Sequence, residues 1–165
     1  MLTVNHLTLS VRRQPLLREV AFSVAPGEVL TLMGPSGSGK STLFAWMIGA
    51  LSGDFRARGE LWLNERRCDT LPTEHRRIGI LFQDPLLFDH FSVGQNLQLA
   101  LPELARPEAL LLDEPFSRLD ASLRAGFRRW VFEELDRQAI PAILVTHDRE
   151  DCPPTGRCLA MERWQ

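Results

Sequence analysis

Short apolar runs alternate with polar segments along the chain, and their spacing predicts most of its strands. Residues 2–9 and 16–24 each alternate apolar and polar side chains, which predicts two antiparallel strands with one solvated face ahead of a Pro26-Gly27 turn. A third edge strand is predicted over residues 59–64. Nearly continuous apolar runs are typical of strands covered on both faces, and such runs occupy residues 28–33, 77–82, 109–113 and 142–146.

Two further segments have the pattern of helices. Residues 42–48 predict a buried helix. Apolar side chains recur every four positions between residues 119 and 138, and Asp120 can cap the start of that helix. The order strand, helix, strand that results is that of a βαβ unit. We therefore predict a single α/β domain over residues 1–165, in which helices cover both faces of a mainly parallel sheet and an antiparallel β subdomain lies at the N-terminus.

The only lysine of the chain, Lys40, lies in a glycine-rich segment that matches the phosphate-binding pattern G-x-x-x-x-G-K-[ST]. The segment stands between a predicted strand and a predicted helix, which is the context that this pattern requires. Glycines there allow successive N–H groups to curl around phosphate oxygens. Lys40 is expected to reach the β- and γ-phosphates of a nucleoside triphosphate, and Ser41 to bind Mg²⁺. The candidate nucleotide ligands are Gly34, Pro35, Ser36, Gly37, Ser38, Gly39, Lys40, Ser41 and Thr42.

Further polar residues follow the buried strands, where ligands meet open α/β sheets. Asp113 is a candidate Mg²⁺ ligand, and Glu114 could orient the attacking water or take its proton. His147 follows the next buried strand, from which a neutral imidazole could reach the γ-phosphate. The amide of Gln83 could contact Mg²⁺ or the water. Taken singly, the Asp113-Glu114 pair is also consistent with an ordinary turn into a helix, and His147 with a structural histidine.

Composition excludes some function classes. A formal charge of −2 and scattered arginine pairs argue against a general nucleic-acid binder. Cys68, Cys152 and Cys158 have no metal-ligand spacing, so free thiols in a reducing compartment are expected. The chain shows neither a signal peptide nor an apolar run approaching about 18 residues. We therefore expect a soluble cytoplasmic protein that meets a membrane only through a partner.

Together these motifs resemble those of the ATP-binding subunits of ATP-binding-cassette (ABC) transporters, a P-loop NTPase family, over nearly the whole chain. The similar segments are the Walker A loop at 34–42, the glutamine loop at 82–84, the Walker B segment at 110–114, the D-loop at 117–120 and the switch histidine His147. The resemblance implies an ATPase that uses ATP and Mg²⁺, with Glu114, His147 and Gln83 as catalytic residues. It also implies a homodimer or pseudo-dimer with two ATP molecules between its subunits. Such a dimer would dock on membrane-spanning permease subunits at the inner face of the cell membrane.

The chain departs from the family pattern at two places. The family places an aromatic residue that stacks on adenine at the position of Val11, and this chain has no tyrosine at all. We therefore expect poor discrimination between ATP and GTP. The signature loop, Leu-Ser-Gly-Gly-Gln or similar, is missing, because only thirty positions separate Gln83 from Asp113. A helical segment has been deleted near residues 103–104, or is absent from the sequence, and turnover by the chain as written is expected to be impaired.

Other function classes remain alternatives to a transport ATPase. A soluble ABC-type ATPase that acts on DNA or ribosomes would have the same nucleotide motifs, but the acidic balance of the chain and its single cassette disfavour this class. A phosphate-loop kinase of small molecules is disfavoured by the Asp113-Glu114 pair and by His147. A nucleotide-binding module without turnover would fit the shortened chain. The motifs identify neither the transported substrate nor the direction of transport.

Overall fold

The computed structural model describes residues 1–82 and 106–165. In chain order, its strands are β1 (Leu2–Val11), β2 (Gln14–Val24), β3 (Val29–Met33), β4 (Phe55–Leu63), β5 (Arg66–Arg67), β6 (Ile78–Leu81), β7 (Ala109–Asp113), β8 (Ala142–Val145) and β9 (Arg157–Ala160). Its α-helices are α1 (Lys40–Ile48), α2 (Thr73–Arg76) and α3 (Ala121–Arg137). Short 3₁₀ helices cover Arg149–Asp151 and Met161–Trp164. No helix in this part of the chain is long and apolar enough to cross a membrane.

The strands form two sheets. One is antiparallel, with the order β2-β1-β4-β5, and the other has the order β6-β7-β8-β3-β9 with parallel pairing between neighbours. Since parallel strands end at the same edge of a sheet, the ends of β3, β7 and β8 lie side by side. The loops that follow these three strands carry the predicted phosphate-binding, acidic and histidine motifs.

Helices cover both faces of the parallel sheet because its strands are apolar on both sides. Leu111 of β7 packs into the core that α1 and the antiparallel sheet share, whereas its neighbours Leu110 and Leu112 pack into a second core with α3. In that second core, Phe116 meets Phe127 of α3 edge to face at 5.6 Å between ring centroids. The predicted α/β architecture with an N-terminal antiparallel subdomain is confirmed.

Several element boundaries differ from the predicted ones. Strand β4 begins at Phe55 rather than at residue 59, and it pairs with both β1 and β5, so it is not an edge strand. Helix α3 is capped as predicted, since the Asp120 carboxylate accepts a hydrogen bond from the Leu123 N–H at 3.0 Å. Leu123 itself is 52% exposed, so the buried stripe of α3 begins one turn later than its apolar spacing suggests.

Strand β9 is absent from the predicted elements. It has only four residues, and mostly exposed side chains alternate with a half-buried Leu159, so it lacks the apolar run that marks a buried strand. Its pairing with β3 makes it the edge of the parallel sheet. The three cysteines are free thiols, as expected, and burial raises the pKa of the Cys68 thiol.

Candidate functional site

A cleft of about 710 Å³ lies where the carboxyl edge of the parallel sheet meets the antiparallel sheet. This volume falls within the range of about 300–1,000 Å³ that is typical of small-molecule sites. In the described part of the chain, three regions form its walls: the loop between β3 and α1 with the first turn of α1, the ends of β7 and β8, and the antiparallel sheet. Its lining residues are Val11, Leu16, Gly34, Pro35, Ser36, Gly37, Gly39, Lys40, Ser41, Thr42, Phe55, Asp113, Glu114, Val145 and His147.

The loop of residues 34–39 joins β3 to α1 and directs the helix N-terminus into the cleft. Gly39 has a φ of +93°, which side-chain-bearing residues rarely adopt, and α1 begins at the next residue. Gly34 is required for a different reason, because a Cβ atom there would lie 2.8 Å from Ser38 Oγ and 3.0 Å from Met161 Cβ. Free N–H groups at the start of a helix, together with the helix dipole, favour a bound anion.

The ammonium group of Lys40 lies over this loop. It donates hydrogen bonds to the carbonyl oxygens of Gly34 and Pro35, the latter at 2.8 Å, and to Ser38 Oγ at 3.2 Å. These contacts hold the positive charge beside the backbone that would surround a phosphate. Lys40 also acts on the acidic wall of the cleft, since its charge opposes the rise in the pKa of Asp113.

The acidic pair follows β7 at the edge of the sheet. Burial and the neighbouring Glu114 raise the pKa of the half-buried Asp113 above its ordinary value. Glu114 adopts a φ of +49°, and its N–H donates to the Val145 carbonyl at 2.9 Å. This hydrogen bond fixes the turn after β7 against the end of β8. The Glu114 side chain therefore lies next to His147, which follows Thr146 after the end of β8.

Glu114 and His147 contact each other directly. His147 Nδ1 lies 3.0 Å from both carboxylate oxygens of Glu114. The imidazole is largely exposed, and the hydrogen bond and charge of Glu114 raise its pKa. The sequence predicts a neutral imidazole at this place, whereas the carboxylate that faces His147 in the structure favours the protonated form to a higher pH.

A buried ion-pair cluster holds the loop that carries His147. The carboxylate of Asp151 is 2% exposed and accepts hydrogen bonds from Arg124 at 2.6 and 2.9 Å, from Arg128 at 3.0 Å and from the Thr146 hydroxyl at 3.1 Å. Arg124 also binds Asp148 at 2.8 Å. The cluster therefore ties the loop after β8 to α3. Sequence reasoning missed it because its ion pairs join residues that lie 23 to 27 positions apart along the chain.

The antiparallel sheet supplies the apolar wall of the cleft. Val11, predicted to lie at the nucleotide site, is in this wall together with Leu16 and Phe55. Sequence reasoning missed Phe55 because only the pairing of β1 with β4, which places it opposite Val11, brings it to the site. Two other predictions, the role of Gln83 and the shortened region at 103–104, lie outside the described residues and stay predictions.

Comparison with known proteins agrees with the motifs. The family model described as "ABC transporter" matches residues 17–125. The uncharacterized ABC transporter ATP-binding protein YnjD of Escherichia coli (strain K12) is 48% identical, over 99% of this chain and 96% of that protein. The Fe(3+) ions import ATP-binding protein FbpC 2 of Haemophilus influenzae is 31% identical over 92% of this chain, which spans 56% of that longer protein.

The structure agrees as well. A solved chain from Pyrococcus furiosus, described as an ABC transporter (ATP-binding protein), superposes with a TM-score of 0.73 over 99% of this chain and 98% of its own, and its 17% identity makes this a likeness of fold. The alignment with YnjD spans 209 positions and the chain has 165 residues, so this chain is shortened relative to that relative. By its sequence match and its motifs, the chain belongs to the ABC transporter family, among its ATP-binding subunits.

Proposed function

We propose that this cleft binds MgATP and hydrolyses it. The observation that carries the proposal is the convergence of Lys40, Asp113, Glu114 and His147 on one cleft from three separate loops. The phosphate groups would lie in the loop of residues 34–42, where backbone N–H groups and the Lys40 ammonium donate to them. ATP-binding subunits of this family are ATPases, and the residue pattern of the cleft supports that activity.

The residues present fit a magnesium ion. The Asp113 carboxylate and the Ser41 hydroxyl both line the cleft, and both offer the hard oxygen ligands that Mg²⁺ prefers. Within residues 1–82 and 106–165, no group of three or more histidine, cysteine, aspartate or glutamate side chains could hold a metal. Mg²⁺ is commonly held by one or two carboxylates together with substrate phosphates, and Asp113 and Ser41 could supply such oxygen ligands. Bound there, Mg²⁺ would neutralise charge on the β- and γ-phosphates.

Glu114 is the residue best placed to orient the attacking water and to accept its proton. Its carboxylate is mostly buried at the edge of the cleft, where it accepts from His147. A carboxylate held in this way can take the proton of the water as the bond to the γ-phosphorus forms and the bond to the bridging oxygen breaks. His147 would then hold Glu114 in place and donate to the γ-phosphate. Gln83 keeps its predicted role as a contact to Mg²⁺ or water.

The protein is proposed to act as a dimer of ATP-binding subunits on membrane-spanning permease subunits, at the cytoplasmic face of the cell membrane. The names of the importer relatives support a permease partner. The family model and the relatives favour transport over the alternative of a soluble ABC-type ATPase. The second alternative, a module that binds nucleotide without turnover, is favoured by the shortening of the chain relative to YnjD. A measurement of ATP turnover by this chain distinguishes the two cases, because a module that only binds nucleotide would show none.

Titration calorimetry of the Lys40→Ala variant with MgATP tests the proposal. The charge-assisted contacts that it removes are worth about 1.5–3 kcal/mol each, so affinity should fall at least tenfold. Arg58→Ala is the matched control, because it removes a positive charge from an exposed position of β4 that lies outside the cleft lining. Unchanged affinity for MgATP in Lys40→Ala, with the control also unchanged, would rule out this loop as the nucleotide site.

A further inference from the structure

Among the residues that the structure describes, the apolar wall of the cleft contains one aromatic ring, that of Phe55. It lies at the first position of β4, where its N–H donates to the Ser52 carbonyl at 3.0 Å. Across the sheet it pairs with Val11, the last residue of β1. Leu16 of β2 completes this part of the wall. All three side chains are partly exposed, and the cleft that exposes them is the one that contains the phosphate-binding loop.

We propose that Phe55 is the surface on which the base of the bound nucleotide stacks. The inference rests on the proposed function and adds to it the residue that binds the base. The resemblance to the family implies that its aromatic position corresponds to Val11, which has an aliphatic side chain. Neighbouring strands are about 4.8 Å apart. The ring of Phe55, which pairs with Val11 across the sheet, therefore lies only one strand away from that position. The aromatic contact is thus supplied by β4 instead of β1.

The chemistry of this wall suits a flat, weakly polar ligand. Val11 and Leu16 give an aliphatic border, and Phe55 gives a π-face on which a purine can stack. The cationic and hydrogen-bonding groups lie in the other walls, at Lys40, Asp113 and Glu114. A nucleoside triphosphate has the same division, with a stacking base joined to a charged phosphate chain.

Stacking on Phe55 does not distinguish adenine from guanine. Every base has a π-face, so stacking binds adenine and guanine alike. The affinities for ATP and GTP therefore remain close together, as the sequence also predicts. The reason differs, however: the aromatic surface is present, and it binds both purines. Removing the ring should weaken the binding of ATP and GTP to a similar extent.

Calorimetric titration of Phe55→Ala with MgATP, MgGTP and magnesium tripolyphosphate isolates the contribution of the base. We expect both nucleotides to bind about 5- to 150-fold more weakly, the range that corresponds to stacking on one aromatic side chain, while tripolyphosphate binds as it does to the wild type. Phe55→Leu, which keeps apolar bulk without a ring, should behave like Phe55→Ala, and Phe55→Trp should restore the affinity. Trp62→Leu is the matched control, since Trp62 lies in the same strand but outside the cleft.

The outcomes separate this inference from the proposed function. If the wild-type chain binds neither ATP nor tripolyphosphate, the proposed function itself fails. If the wild type binds ATP and Phe55→Ala binds it equally well, the base stacks elsewhere and the inference is overturned. An equal loss for ATP and tripolyphosphate overturns it too, because Phe55 would then act only on the fold of the cleft. A loss confined to the nucleotides, with recovery in Phe55→Trp, supports it.

Discussion

Replacing Asp151 with alanine should destabilise the protein far more than removing an exposed carboxylate does, because Asp151 neutralises two arginines at a buried position. Its side chain is 2% exposed and binds Arg124, Arg128 and Thr146. The substitution removes every one of these acceptor contacts at once. Two guanidinium groups would then face each other between α3 and the loop after β8 without a shared counter-charge.

The structure sets the magnitude of this effect. Removing one member of a buried ion pair costs about 3–5 kcal/mol, because the remaining charge loses its partner. Arg124 and Arg128 are 23% and 22% exposed, so water can reach both, and Arg124 keeps Asp148 at 2.8 Å. We therefore expect the lower end, a loss of about 3 kcal/mol in the free energy of unfolding. In a domain of this size, that loss lowers Tm by about 6–12 °C.

Thermal unfolding followed by circular dichroism measures the change. Asp151→Asn keeps the shape of the side chain but not its charge, and it should lie between the wild type and the alanine variant. Glu133→Ala is the matched control, because Glu133 is an exposed carboxylate of α3, the helix that carries both arginines, and its removal should move Tm by no more than about 2 °C. If Asp151→Ala shifts Tm no more than this control does, the cluster contributes nothing measurable and the reasoning is wrong.

Two further predictions concern Arg76 and His147. The buried Arg76 guanidinium donates to four carbonyls, two of them at the end of α1. Arg76→Met should therefore lower the free energy of unfolding by about 1–3 kcal/mol for each carbonyl left unpaired. Urea unfolding, with Arg58→Met as the control, measures this loss. Because Glu114 raises the pKa of His147, their attraction is present below the ordinary histidine pKa and lost as pH rises through the raised value. An NMR titration should therefore place that pKa above about 6.5, and Glu114→Gln should lower it; an unchanged midpoint would contradict the pairing.

Elements with a strong local signal were predicted from the sequence. The strands of the parallel sheet that are buried on both faces have continuous apolar runs, and α3 has both an apolar spacing and a capping residue, Asp120. Strand β9 has neither signal, because it is an edge strand whose side chains are mostly exposed. The start of β4 was missed for a related reason, since Phe55-Arg56-Ala57-Arg58 contains two charged residues and is held in place by pairing with β1.

The same distinction separates the two halves of the site. The phosphate-binding loop lies in consecutive residues, and its chemistry depends on local backbone shape, which glycine and the start of a helix determine. The base-binding wall has no such local basis: Val11 and Phe55 are neighbours only because β1 and β4 pair in one register. The Asp151 cluster likewise joins residues of α3 to a loop beyond β8. A change of register by one residue would turn Phe55 to the other face of the sheet and leave the loop of residues 34–42 intact. The sequence therefore indicates phosphate chemistry strongly, whereas contacts to the base require the folded sheet.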